Sequence, residues 1–190
     1  MTQVKNILLC GVGGQGTILT SRILTEGLIR AGYDVKMSEV HGMAQRGGSV
    51  STQVRYGDKV FSPLFGKGQA DVCVAFERME AVRYAEYLKP DGICIINDYC
   101  LTPMSVAVGA AVYPENAIDA MEAEFETIVV PAADIAEGLG NVRSMNVVLL
   151  GALVRTLGLE KLPGFDWTDI IRSVLPEKFH AANIEAFLAY

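Results

Sequence analysis

Residues 8–17 read LLCGVGGQGT. An apolar run stops, four glycines follow within six positions, and a helix-like pattern begins at Thr17. Gly11, Gly13 and Gly16 fit G-x-G-x-x-G between a strand and a helix. Glycine permits the tight turn and lets a ligand approach the backbone, and the helix start offers unpaired N–H groups with a partial positive charge. The feature calls for an α/β unit with an anion site at the strand's carboxyl end. By itself it is weak evidence, because glycines also let a helix pack closely on a strand.

Alternation of apolar runs and helical patterns extends along the chain. Val4 to Cys10 reads as a buried strand, Thr17 to Ala31 as a helix stopped by Gly32, and YDVKMSEV as a second strand. HGMAQRGG is a loop. In SVSTQVRYGDKVFSP, Val50, Thr52, Val54 and Tyr56 alternate with polar residues, and YGDK signals a turn, so a half-exposed hairpin over Val50–Phe61 is expected. ADVCVAF is a central strand, followed by a short helix from Glu77 to Leu88, a KPDG turn and the strand ICIIN. VAVGAAVYP suggests a short edge strand, NAIDAMEAEF a helix, and ETIVVP a last strand. Helices are expected over Asn141–Leu157, Asp166–Leu175 and Glu177–Tyr190, with Asp166 as a cap and Pro176 at a helix start. The pattern predicts a mostly parallel, partly doubly wound α/β sheet with helices on both faces and a helical C-terminal segment. No linker divides it. Residues 1–190 are expected to form one domain, with the helices of residues 141–190 packed on it.

Several functions are disfavoured. The net charge of −6 argues against nucleic acid and against an anionic membrane surface. No apolar run is long enough for a membrane span, and the first residues read as a strand and not as a signal peptide, so a cytoplasmic location is expected. Cys10, Cys73, Cys94 and Cys100 form no CxxC, and the first three sit in apolar runs as small hydrophobes. An iron–sulfur cluster held by this chain is therefore not expected. With only two histidines, His41 and His180, a His-rich metal site is not expected either.

A dinucleotide fingerprint would place an acid about 20 residues after the glycines, and Glu39 stands near that position. However, Glu39 runs straight into a second glycine loop, SEVHGMAQRGGSV, which should lie beside the first. A phosphate loop of the Walker type is excluded, since no lysine is in place. His41, Gln45 and Arg46 are polar and able to converge, and Gly42, Gly47 and Gly48 free the backbone. Arg46 suits a carboxylate or phosphate, and equally an internal pair with Glu39. His41 has no acid or nucleophile placed by sequence to work with it. Esterase, zinc-protease and calcium motifs are missing. Two glycine loops without an evident nucleophile fit one part of an assembled active site better than a stand-alone enzyme.

GVGGQGTILTSRIL, SEVHGMAQRGGSVSTQVRYG and SPLFGKGQADVCVAFERMEAVRY, in this order, resemble the gamma-type domain of the 2-oxoacid:ferredoxin oxidoreductases over nearly all of residues 4–158. The wording HGMAQRGGSV most resembles the indolepyruvate branch; gamma subunits for pyruvate, 2-oxoglutarate or branched-chain 2-oxoacids share G-x-G-G-Q-G and R-G-G. The resemblance implies oxidative decarboxylation of aryl pyruvates to acyl-CoA with reduction of ferredoxin. It places thiamine diphosphate and 4Fe–4S clusters in a large alpha subunit, and makes coenzyme A a co-substrate. This chain would be inactive alone. Projected onto the motifs, Gly11, Gly13, Gly14, Gln15, Gly16, Gln45, Arg46, Gly47 and Gly48 become the ligand-binding or junction residues, and His41 and Arg46 the catalytic candidates. An exposed apolar patch covered by the alpha subunit is expected, with Val50–Phe61 and SPLFGKG as candidates, through which the isolated chain could also form a homodimer. The alternative of another class is a self-contained NAD- or flavin-binding protein.

Overall fold

The structure is a computed structural model and describes residues 4–42, 47–162, 164 and 166–190. Six strands form one sheet: β1 (Lys5–Val12), β2 (Asp34–His41), β3 (Ser49–Gly57), β4 (Ala70–Ala75), β5 (Leu88–Asn97) and β6 (Glu126–Val130). Their order is β2-β3-β1-β4-β5-β6. β1, β4, β5 and β6 pair in parallel, and β3 runs antiparallel to both of its neighbours.

The two-residue pleat sorts the central strands onto two cores. Ile7, Leu9, Val72, Val74 and Ile95 face one side, where they meet α1 (Thr17–Arg30), α6 (Met145–Thr156), α7 (Trp167–Val174) and α8 (His180–Leu188). Leu8, Cys10, Cys73, Ala75, Cys94 and Ile96 face the other, against Ala81 of α2 (Arg78–Tyr84) and Met121 of α4 (Ala117–Glu124). The remaining helices are the short α3 (Met104–Ala107) and α5 (Ala132–Gly138). The expected architecture, with helices on both faces and a helical C-terminal segment, is what the chain forms.

Close approach of α1 and α7 depends on Gly27. A Cβ there would meet the Trp167 ring at 2.3 Å. Trp167 in turn donates its indole N–H to Leu159 O at 3.1 Å. Asp166 caps α7 as expected, accepting the Thr168 N–H at 2.8 Å.

Four local expectations are corrected. Residues 50–61 do not form a hairpin of their own: β3 is an internal strand whose hairpin partner, β2, precedes it. The alternation of buried and partly covered residues along β3 was visible, but the chain beyond Gly57 runs as a loop. Arg55 holds it by donating to Ser62 O and Leu64 O, and Gln53 by accepting the Phe65 N–H. The KPDG segment lies within β5, at a shift in register between Ala70 and Val72. VAVGAAVYP adds no strand, since α3 and a turn occupy that stretch. Of the expected patch, Val50, Val54, Tyr56, Val60 and Phe65 are buried, whereas Phe61 and Leu64 are exposed.

Candidate functional site

The glycine loop sits at the carboxyl end of β1, and each glycine there answers a different demand. A Cβ on Gly11 would lie 2.8 Å from Phe76 Cβ. Gly14 and Gly16 have φ of +101° and +86°, in the left-handed region. At Gly16 a Cβ would also meet the Asn146 side chain at 2.6 Å. Asn146 Nδ2 donates to Gly16 O at 3.3 Å, tying the loop to α6.

Gln15 points inward and is buried. Its Oε1 accepts the Val12 N–H at 2.7 Å, and its Nε2 donates to Phe76 O at 3.1 Å. Those partners fix which end of the amide is oxygen. The side chain therefore closes the crevice between the carboxyl ends of β1 and β4. That crevice is the topological switch point, where helices depart to opposite faces and doubly wound folds usually bind nucleotides. In this protein an amide fills it.

The second loop lies beside the first, and β3 puts it there. Ser49 and Val50 pair with Val12 and Gly11. Gly13 N–H donates to Gly48 O at 2.8 Å, and Gly47 N–H to Gly13 O at 3.4 Å. On the far side of β3, His41 pairs with Val50. Gly11, Val50 and His41 thus form one cross-strand row. His41, Val50, Gly13, Gly14, Gly16, Thr17 and Ile18 line a cavity of about 360 Å³. Gln45 and Arg46 lie outside the described residues.

The N-terminus of α1 opens into this cavity. Gly16 is its N-cap and makes no side-chain capping bond, and its first turn carries no acid. The first N–H groups of any α-helix lack partners within the helix. Together these features make an electropositive end suited to an anion. Glu39 is not placed to read a ribose as in a dinucleotide fold. It lies on β2, two strands from β1 because β3 intervenes, and its Oε1 accepts the Ser21 hydroxyl at 3.2 Å.

Two further clefts flank the loops. Gly14, Gly16, Leu19, Arg143 and Asn146 border one of about 540 Å³, bringing a cation to the rim. Gly47, Ser49, Met79, Arg83, Leu101 and Met104 are among the residues bordering another of about 680 Å³. In the latter, buried Glu77 caps α2 by accepting the Met79 and Glu80 N–H groups at 2.7 and 3.1 Å. Its other oxygen accepts the Leu101 N–H at 3.2 Å and the Tyr113 hydroxyl, so one oxygen holds both ends of the 101–113 segment. Burial, and then Glu77, pushes the Tyr113 hydroxyl well above its ordinary value. Asn97, buried at the end of β5, donates to Phe76 O at 3.2 Å, the carbonyl that Gln15 also uses. Sequence patterning singled out none of Glu77, Asn97, Asn146 and Arg143. A polar residue closing an apolar run, as Glu77 and Asn97 do, was the available signal. Asn146 and Arg143 had none, being about 130 residues away from the loop they adjoin.

Among the described residues no group of three or more His, Cys, Asp or Glu could hold a metal ion. No helix among them is long and apolar enough to cross a membrane.

Comparison with known proteins places this geometry. Residues 6–189 match the family model of pyruvate ferredoxin/flavodoxin oxidoreductase. The chain is 40% identical over 186 residues to indolepyruvate oxidoreductase subunit IorB of Pyrococcus horikoshii, covering 96% of this chain and 92% of that one. With IorB of Archaeoglobus fulgidus the identity is 42% over 188 residues, covering 95% and 90%. Among solved structures, pyruvate oxidoreductase subunit PORC of Thermotoga maritima superposes with a TM-score of 0.71 at 25% identity, over 98% of this chain and 94% of that one. In ketoisovalerate oxidoreductase subunit VorA of Methanothermobacter thermautotrophicus, 87% of this chain matches at 28% identity but accounts for only 31% of the longer polypeptide. The chain belongs to the pyruvate ferredoxin/flavodoxin oxidoreductase family, on the branch whose members are named indolepyruvate oxidoreductase subunit IorB.

Proposed function

We propose that this chain is the cluster-free subunit of an indolepyruvate-type 2-oxoacid:ferredoxin oxidoreductase, and that its carboxyl edge is half of a site completed by a large partner. Identity to IorB subunits is 36–42%, against 26–28% to the common gamma, KorC and VorA subunits. That difference favours aryl pyruvates over pyruvate, 2-oxoglutarate or branched-chain 2-oxoacids as substrates. In such an assembly thiamine diphosphate supplies the decarboxylation chemistry and 4Fe–4S clusters carry electrons to ferredoxin, both in the large subunit. The reading takes residues 1–190 as one gamma-type domain working in the cytoplasm.

The observation that carries the proposal is the uncapped α1 N-terminus between two glycine loops on an open edge, with the internal crevice already filled by Gln15. A ligand must then lie across the edge and be covered from outside. Coenzyme A fits that description: its phosphates suit the N–H groups at Gly16–Ile18, with the backbone of Gly47 and Gly48 close to Gly13, and the sequence motif nominates Arg46 and Gln45 as polar partners. Gly11, Gly13 and Gly14 shape the cradle, and His41 stands at its margin. Met104, Val108 and Val112 are 77%, 69% and 92% exposed, and residues 101–112 carry no charge. An exposed, uncharged apolar surface of this kind suits a protein partner, and VorA carries a domain like this one within a longer chain.

Co-expression with a large thiamine- and cluster-bearing subunit tests this. The expected result is a stable complex that reduces ferredoxin with indolepyruvate and coenzyme A, and loses that activity when Arg46 becomes Ala. Tight binding of NAD or flavin by the solitary chain, or full activity of the large subunit without it, would overturn the proposal.

A further inference from the structure

Glu80 lies in the first turn of α2 and is 2% exposed. Its Oε2 accepts the Ser49 hydroxyl at 2.5 Å, and its Oε1 accepts Arg83 Nε–H at 2.9 Å. With that hydroxyl proton committed to Glu80, the Tyr84 hydroxyl donates to Ser49 Oγ at 3.2 Å. Ser49 opens β3 and is the register partner of Val12. Immediately before it, Gly47 and Gly48 make both backbone bonds to Gly13. Withdrawing a carboxylate from water costs several kcal/mol unless its partners compensate. An apolar side chain would fill the same space without that cost. The charge serves the contact it makes, and that contact is with the outgoing end of the second loop.

We infer that Glu80 is a positioning residue: through Ser49 it clamps Gly47–Ser49 against Gly13, so that the two glycine loops present one fixed surface to the ligand of the carboxyl edge. It acts from beneath, on the α2 side, while the ligand approaches from the α1 side. Arg83 completes the clamp by balancing the buried charge from the rim, where half of its side chain is exposed. The clamp follows from geometry alone; its effect on turnover rests on the proposed coenzyme A reading.

Glu80→Gln, Ser49→Ala and Ser49→Thr separate the two. In the full chain, hydrogen exchange in peptides spanning residues 47–57 should quicken about tenfold in Glu80→Gln and Ser49→Ala, the loss of one charge-assisted bond. Exchange elsewhere should hold, and Ser49→Thr, which keeps the hydroxyl, should restore the native rate. In the assembled enzyme the same two variants should raise KM for coenzyme A about five- to tenfold with kcat within about twofold. Unchanged exchange over 47–57 overturns the inference, as does faster exchange across the whole chain that Ser49→Thr fails to correct. Local quickening with KM for coenzyme A unmoved leaves the clamp standing and overturns coenzyme A as the ligand.

Discussion

Gln15 and Asn97 donate to the same carbonyl oxygen, that of Phe76, at 3.1 and 3.2 Å. Both residues are buried, and each amide oxygen accepts a backbone N–H, from Val12 and from Ala132 respectively. Phe76 N–H itself donates to Cys10 O at 2.8 Å. One carbonyl thus joins the carboxyl ends of β1, β4, β5 and β6. Parallel strands end there with unpaired backbone groups, which would be left buried without partners. Two amides, each both donor and acceptor, satisfy them. The floor of the candidate site is a closed polar network, and the glycine loop above it is held from below.

Gln15→Ala should therefore destabilise the protein by about 1–3 kcal/mol, because it strands the Val12 N–H and leaves Phe76 O with one donor fewer. Urea denaturation with an unchanged m-value is the measurement. A loss below a few tenths of a kcal/mol would mean that water replaces the amide and the crevice is open.

Gly27→Ala should reverse the usual preference of helices for alanine. In a free helix the change gains about 0.5–1 kcal/mol. Here the added methyl group meets Trp167 ring atoms at 2.3 and 2.5 Å, and overpacking should cost about 1–3 kcal/mol. Combining Gly27→Ala with Trp167→Ala should cost less than the sum of the two changes, since the space vacated by one accepts the other. Strict additivity in thermal or urea unfolding would contradict this contact.

The four cysteines should react in two classes. Cys10, Cys73 and Cys94 are buried on the same face of the sheet, Cys73 and Cys94 in register on β4 and β5, with the Cys10 and Cys73 sulfurs 3.7 Å apart. Their thiols are all pushed up, Cys10 chiefly by burial, Cys73 by its contact with Cys10, and Cys94 by its contact with Cys73. Cys100 is exposed. A thiol reagent at neutral pH should titrate one sulfhydryl rapidly in the native chain and the other three only after denaturant is added. Three or four fast thiols would show that the second core is accessible.

Asp166→Ala should remove the α7 cap and cost about 1 kcal/mol at neutral pH. The Asp166 carboxyl is held below its ordinary value by the Thr168 N–H and then by the Thr168 hydroxyl. A depressed carboxyl stabilises above its unfolded value and loses that stabilisation as pH falls through its folded one. The difference between wild type and Asp166→Ala should shrink below about pH 4, whereas Asp166→Asn, still a good cap, should behave alike at both pH values. Equal differences at pH 7 and pH 3 would show that the charge is irrelevant to the cap.

The amino-acid sequence on its own determined what local periodicity controls. Ile7 and Leu9 against Leu8 and Cys10 already specify a strand covered on both faces, and a helix over Thr17–Ala31 follows behind a glycine turn, one residue longer than the α1 that forms. The motif order around Gly11–Gly16 and Gly47–Gly48 pointed to the family. Asp166 announced its cap, because a cap is made within three residues. Tertiary structure decided everything that joins residues far apart in the chain. Only pairing showed that β3 inserts between β1 and β2, which separates Glu39 from the glycine loop and brings Gly48 against Gly13. Only packing showed that Gln15 turns inward to Phe76, that Asn146 reaches Gly16, and that Glu80 holds Ser49. Periodicity reports which side of an element is buried, not which partner buries it. Those partners are chosen by strand order and helix packing, which no short stretch of sequence contains.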